Sequence, residues 1–154
     1  FLIAMNKLIH IPIDDRVSLV EFKVRIDDAL DQLLKKIERI FLNAGYKPPD
    51  YNELLTMRLG PEEMVKKAHR YMLDTGVLIY IGESISMHRD LVSQAREKLI
   101  EFLRKKPEIR ISEFRDLLDA SRKYVLPLLI YFDTQGVTIK RGDVRVLAEK
   151  YRVN

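Results

Sequence analysis

The 154-residue sequence contains no cysteine and no tryptophan. Without thiols there is neither a disulfide framework nor a thiolate metal site. The three histidines, His10, His69 and His88, have no ligand spacing to one another or to a carboxylate cluster, so no metal is expected. No apolar run approaches the roughly 20 residues of a membrane span. Residues 1–13, FLIAMNKLIHIPI, are apolar but lack the basic start and small-residue cleavage site of a signal peptide. The chain therefore reads as soluble and cytoplasmic, without a membrane partner. There is no GxxxxGKS or GxxxxGKT phosphate loop and no Ser/His/Asp arrangement, so neither nucleotide hydrolysis nor another enzymatic activity is expected, and no cofactor. Beginning at Phe1 and not at Met, the sequence reads as part of something longer.

Hydrophobic residues make up 47% of the chain, enough for a real core, and 32% is charged. The formal net charge of +4 is unevenly placed. Residues 89–154 hold 15 Lys/Arg against 10 Asp/Glu, whereas residues 1–88 hold 12 against 13. An anionic partner is thus expected for the C-terminal stretch alone.

That stretch, Ile109 to Leu147, organises the rest. Ser112 is placed to cap a short helix with Phe114, Leu117 and Leu118 on its apolar side. Ala120-Ser121 breaks it, and Ser121 can cap a second helix from Arg122 to about Thr134, carrying Val125, Leu128, Leu129 and Phe132. Pro127 sits inside that helix and removes one N–H. Gln135-Gly136 closes the helix. Val137-Thr138-Ile139 and Val144-Arg145-Val146, joined through Lys140-Arg141-Gly142-Asp143, then predict a hairpin. Helix, turn, helix, hairpin is the outline of a winged helix.

Displaced by sixty residues, the same outline recurs. Glu53 falls on Glu113, Gly60 on Ala120, Tyr71 on Tyr131, Gly76-Val77 on Gly136-Val137, and Gly82-Glu83 on Gly142-Asp143. Each copy is preceded by an amphipathic helix. One carries Ile26, Leu30, Leu33, Leu34, Ile37, Ile40 and Phe41, with Ser18 and Glu21 as its expected capping box; the other runs from Arg89 to Arg104. We expect an α+β, mostly helical chain of two tandem winged-helix domains, 14–88 and 89–154. Residues 1–13 would be the wing remnant of a preceding unit, and Ala148 to Asn154 a frayed or turn-like tail.

The two copies differ in chemistry. In the first, the second helix starts Pro61-Glu62-Glu63 and the hairpin tip carries Glu83, which would repel phosphate; this copy reads as a spacer. In the second, the helix starts Ser121-Arg122-Lys123-Tyr124 and the tip is Lys140-Arg141-Gly142-Asp143. Cations beside the free N–H groups of a helix start make a phosphate site. Arg122 and Lys123 lead the candidates, against the bland alternative of a solvated helix end. Lys140, Arg141 and Arg145 follow, against the alternative that edge-strand cations discourage sheet-to-sheet pairing. Gly142 suits a tight tip and a close backbone approach to a base. Asp143 either accepts from a guanine edge or shapes the turn. Tyr124 fits a half-buried core position better than a stacking platform, because it shares its helix with Leu128 and Tyr131.

Over about residues 109–147 the sequence resembles the last winged-helix module of the bacterial selenocysteine-specific elongation factors, the SelB family, and over 14–88 the resemblance is architectural only. The resemblance lies in Ser121-Arg122-Lys123-Tyr124, Pro127-Leu128-Leu129, Tyr131-Phe132-Asp133 and Arg141-Gly142-Asp143-Val144-Arg145. It implies binding of a messenger-RNA hairpin, the selenocysteine insertion element. It also implies a monomer whose missing GTPase part serves the ribosome and selenocysteinyl-tRNA. A winged-helix DNA-binding regulator is the alternative and would form a symmetric dimer on duplex DNA. A third reading is a protein-interaction module that binds no nucleic acid.

Overall fold

The computed structural model describes residues 13–152, with side chains from Asp27 onward. The strand-like reading of residues 1–12 and the last two residues of the tail lie outside the described residues. In chain order the elements are α1 (Ile13–Ala44), α2 (Tyr51–Thr56), α3 (Glu62–Asp74), β1 (Leu78–Gly82), β2 (Ile85–His88), α4 (Arg89–Lys105), β3 (Ile109–Arg110), α5 (Ile111–Leu118), α6 (Arg122–Thr134), β4 (Thr138–Arg141), β5 (Val144–Leu147) and α7 (Glu149–Arg152). Three helices and a hairpin therefore occur twice, with α3 and α6 offset by sixty residues, as the repeated spacing predicts.

Three boundaries differ from the sequence reading. The first helix is already running at Ile13, so Ser18 is an interior residue and not its cap. Val17, Val20 and Val24 continue the three-to-four spacing upstream and carry the helix past that point. Helix α5 begins before Ser112: Arg110 is its N-cap, and the Glu113 carboxylate accepts from the Arg110 backbone N–H at 3.0 Å. Ile109-Arg110 is also a strand in its own right, pairing antiparallel with β5, so the second sheet has the order β3-β5-β4 while the first has only β1-β2. The tail forms one helical turn, α7.

The apolar residues gather in two clusters. One joins Leu30, Leu33, Ile37 and Phe41 of α1 to Leu54 of α2, Val65, Ala68 and Met72 of α3, and Leu78 of β1. The other joins Val92, Ala95, Leu99 and Leu103 of α4 to Phe114, Leu118, Val125, Leu128, Leu129 and Phe132 of α5 and α6. Ile81, Ile85 and Met87 of the first hairpin belong to this second cluster. All four residues of β2 are buried. Strand alternation explains how. Ile85 and Met87 point toward the second cluster, and His88, on the opposite face, bonds to α1 through Glu38 Oε2 at 2.8 Å. His88 Nδ1 accepts from the Asp90 N–H at 3.1 Å and caps α4, which leaves the ring proton on Nε2 for Glu38. Each fully buried Leu, Ile or Phe in such a cluster contributes about 1.5–3 kcal/mol.

His69 is buried on α3 with its ring 5.0 Å from that of Tyr51, and burial pushes its pKa below the usual histidine range. The unfolded chain therefore binds a proton more readily at this site. Stability from His69 is complete above about pH 6.5 and falls as pH drops through that value toward the folded pKa. Urea denaturation across pH 5 to 8 should show this decline, and His69→Phe should flatten it. An equal slope in the variant would place the acid sensitivity elsewhere.

Candidate nucleic-acid interface

Helix α6 starts at Arg122 with Ser121 as N-cap, as its spacing predicts; the Ser121 hydroxyl makes no capping bond. Pro127 is accommodated inside the helix and buried. The helix packs Val125, Leu128, Leu129 and Phe132 into the core, which turns Arg122, Leu126 and Ile130, at successive intervals of four, outward as one ridge. Ile130 is 49% exposed.

Grooves flank this ridge on two sides. One, of about 610 Å³, lies between α6 and the second hairpin, and its lining includes Arg122, Lys140, Gly142, Asp143 and Arg145. The other, of about 550 Å³ and mainly apolar, lies between α6 and the tip of the first hairpin, and its lining includes Arg122, Lys123 and Glu83. Five of the eight sequence-proposed residues thus line one open groove. Gly142 sits at its rim with φ +62, and a Cβ there would meet nothing within 4 Å. The tip backbone is open to a ligand, while the left-handed conformation keeps larger residues unfavourable.

The remaining residues are placed differently. Lys123 turns toward the first repeat. Its Nζ lies 5.2 Å from the Tyr124 ring centroid. Its charge also reaches Asp50, whose carboxylate is held below the usual range mainly by the Glu53 backbone N–H it accepts from, with Lys123 adding to the effect. Tyr124 is half-buried against the second cluster, with the Lys123 ammonium over its ring. Arg141 is exposed at the end of β4. Strand alternation points it away from Lys140 and out of the groove lining.

Arg145 is a correction. It is 3% exposed, and its Nε and Nη2 donate to Asp133 Oδ2 at 3.3 and 3.1 Å. The other Asp133 oxygen accepts from the Thr138 hydroxyl at 2.6 Å. On the central strand β5, Arg145 shares the inward face with Leu147, so its charge is consumed in tying the wing to the end of α6. It forms part of the groove floor and is not a free cation. Ile111, Leu126, Ile130 and Asp133 are the lining residues that the sequence reading passed over. The four-residue spacing from Arg122 was the available signal for the ridge, whereas Asp133 gave none until its partner was known. Among the described residues, no group of His, Asp or Glu is arranged to hold a metal ion. No described helix is long and apolar enough to cross a membrane.

Residues 101–147 match the family described as the winged helix of elongation factor SelB. A selenocysteine-specific elongation factor from Desulfomicrobium baculatum is 25% identical over 114 residues, which is 74% of this chain and 18% of that protein. The chain thus spans about a fifth of the curated relative it matches. Among solved structures, the mRNA-binding domain of E. coli elongation factor SelB, determined in complex with SECIS RNA, superposes with a TM-score of 0.66 at 21% identity. That superposition covers 79% of this chain and 98% of that one. A bacterial selenocysteine-specific elongation factor superposes at 0.64 and 20% identity, covering 78% of this chain and 19% of that one. The likeness to these two structures is one of fold, a mostly helical winged-helix architecture.

Breaking the internal ion pair should damage stability and not merely binding. Arg145→Ala is expected to lower unfolding free energy by about 3 kcal/mol, because Asp133 loses its partner. Arg141→Ala, at an exposed site, should stay within about 0.5 kcal/mol. Urea titration of the two variants reads the difference; equal stabilities would show that Arg145 is not a structural residue.

Proposed function

We propose, from a C-terminal repeat that is a winged helix of the SelB kind, that this chain is the messenger-RNA-binding part of a selenocysteine-specific elongation factor. It grips a hairpin of the selenocysteine-insertion type in the groove between α6 and the second hairpin. The observation that carries this reading is the shared groove: Arg122 from the helix start and Lys140 from the wing line the same open surface, with the bare Gly142 backbone at its edge.

A-form RNA hides its base edges in a deep groove, so a hairpin is held by its phosphates and read at unstacked loop bases. Arg122 and Lys140 hold phosphates, with Arg141 on the outer face of the wing and Lys123 on the far flank of the ridge extending the cationic track. The Gly142 backbone approaches an extruded base, and Asp143 accepts from a guanine edge. Arg145 serves this surface indirectly, by fixing the wing against α6 through Asp133. Residues 14–88 act as the spacer and 89–154 as the reader. The chain acts by binding and not by catalysis, as a monomer in the cytoplasm. Selenocysteinyl-tRNA and the ribosome are served by the rest of the parent factor.

Selection from a random hairpin pool should enrich one loop sequence. Binding of the enriched hairpin, followed by fluorescence anisotropy, should weaken with salt at a log–log slope near −3, as expected for about four neutralised phosphates. Arg122→Ala and Lys140→Ala should each cost about 1–3 kcal/mol in binding. A flat salt dependence, or full affinity in both variants, would contradict the proposal.

A further inference from the structure

A second cationic groove lies behind α6, on the flank opposite the Arg122–Leu126–Ile130 ridge. It has a volume of about 340 Å³, and its lining includes Arg89, Ser93 and Arg96 of α4, Tyr131 and Gln135 of α6, and Tyr151 of α7. Arg89, Ser93 and Arg96 recur at intervals of four and three, so they form one stripe along α4. Asp90 and Glu97 sit about a quarter turn around the same helix and are not among the lining residues.

The contrast with the first repeat is informative. There two of the three Lys and Arg side chains of α3 are compensated, Lys66 by Glu62 and Glu63 and Arg70 by Asp74, while Lys67 pairs with none of the described residues. Among the described residues, Arg89 and Arg96 form no such ion pair, although both are exposed. Two unpaired guanidinium groups beside two half-buried tyrosine rings and an amide match the chemistry of single-stranded nucleic acid, in which phosphates alternate with stackable bases. A guanidinium holds phosphate in a two-pronged geometry and also stacks, so Arg suits this position better than Lys.

We propose that this groove is a second RNA site, taking a single-stranded segment, while the wing groove takes the hairpin. The proposal goes beyond the hairpin reading and does not need it, because the two grooves lie on opposite flanks of α6. One chain would then hold a folded element and an unpaired strand at once. The two binding free energies would reinforce each other when both belong to one transcript.

The test uses a short labelled oligouridylate, which forms no hairpin, with the 154-residue chain. Binding should be measurable at low salt and fall roughly tenfold in the double variant Arg89→Gln with Arg96→Gln, through the loss of two phosphate contacts. It should fall several-fold in Tyr151→Leu, which removes the stacking face and keeps an apolar side chain. The arginine variant should retain its affinity for a pool-selected hairpin. Absence of oligouridylate binding overturns the second site. So does a loss confined to the Arg122→Ala and Lys140→Ala variants, which would put the strand in the wing groove. Competition by heparin as strong as by oligouridylate, with Tyr151→Leu unaffected, overturns the RNA assignment in favour of a general anionic surface. If the hairpin reading fails while oligouridylate binding tracks Arg89 and Arg96, this site stands alone.

Discussion

The arrangement depends on a hairpin that is buried from both sides. In β2 every residue is buried, which is unusual for one strand of a two-stranded sheet. Such a strand is stable only if something covers each face. Here α1 covers one, through Glu38 and His88, and the second apolar cluster covers the other, through Ile85 and Met87. The first hairpin is thus an outward-facing wing neither in chemistry nor in position. It is a wedge between the two repeats, and α6 rests against it. The bond from the Tyr46 hydroxyl to the Leu91 carbonyl at 3.0 Å, and the cap of α4 by His88, tie the same junction from its other side. The orientation of α6, and with it the direction its exposed ridge faces, follows from that packing.

On the second repeat the corresponding hairpin has one buried face and one open one. Its strands are held to α6 by three hydrogen bonds centred on Asp133, one from the Thr138 hydroxyl and two from the Arg145 guanidinium that also make the ion pair. Arg145 needs that carboxylate, since an unpaired guanidinium at 3% exposure would be costly. The pairing converts an apparent surface cation into a brace. The groove is therefore less basic than a count of arginines suggests, with Arg122 and Lys140 as its free cations beside the exposed Asp143 carboxylate. In the proposed binding mode, specificity would rest on where two cations and a bare glycine backbone are placed, more than on bulk charge.

Much of this was legible in the sequence. The sixty-residue offset, the helix-closing glycines and the position of α6 follow from local rules, because spacing and turn chemistry act over a few residues. What escaped depends on partners distant in the chain. Arg145 looks exposed when Val144 and Val146 are read as the core face. Only the pairing of β5 with both β3 and β4 shows that the inward face carries Arg145 and Leu147. The two-residue strand β3 has no signal of its own and exists because β5 has a free edge. Lys123 and Arg122 are neighbours in sequence, yet a rotation of about 100° between successive helical residues leaves Arg122 on the ridge, lining both grooves, and sends Lys123 to the groove of the first hairpin alone. Ser18 resembled a cap because Ser and Glu at that spacing occur at helix starts, while the helix in fact continues upstream to Ile13.

The central claim is that RNA meets this molecule on the second repeat, across the start of α6 and the second hairpin. Amide hydrogen exchange, compared with and without a pool-selected RNA hairpin, addresses it without altering any residue. Slowed exchange at Arg122, Lys123 and the turn from Lys140 to Asp143, with Glu62 to Met64 of the first repeat unchanged, is the result this account predicts. Protection centred on the start of α3, or none at the second hairpin, would contradict it.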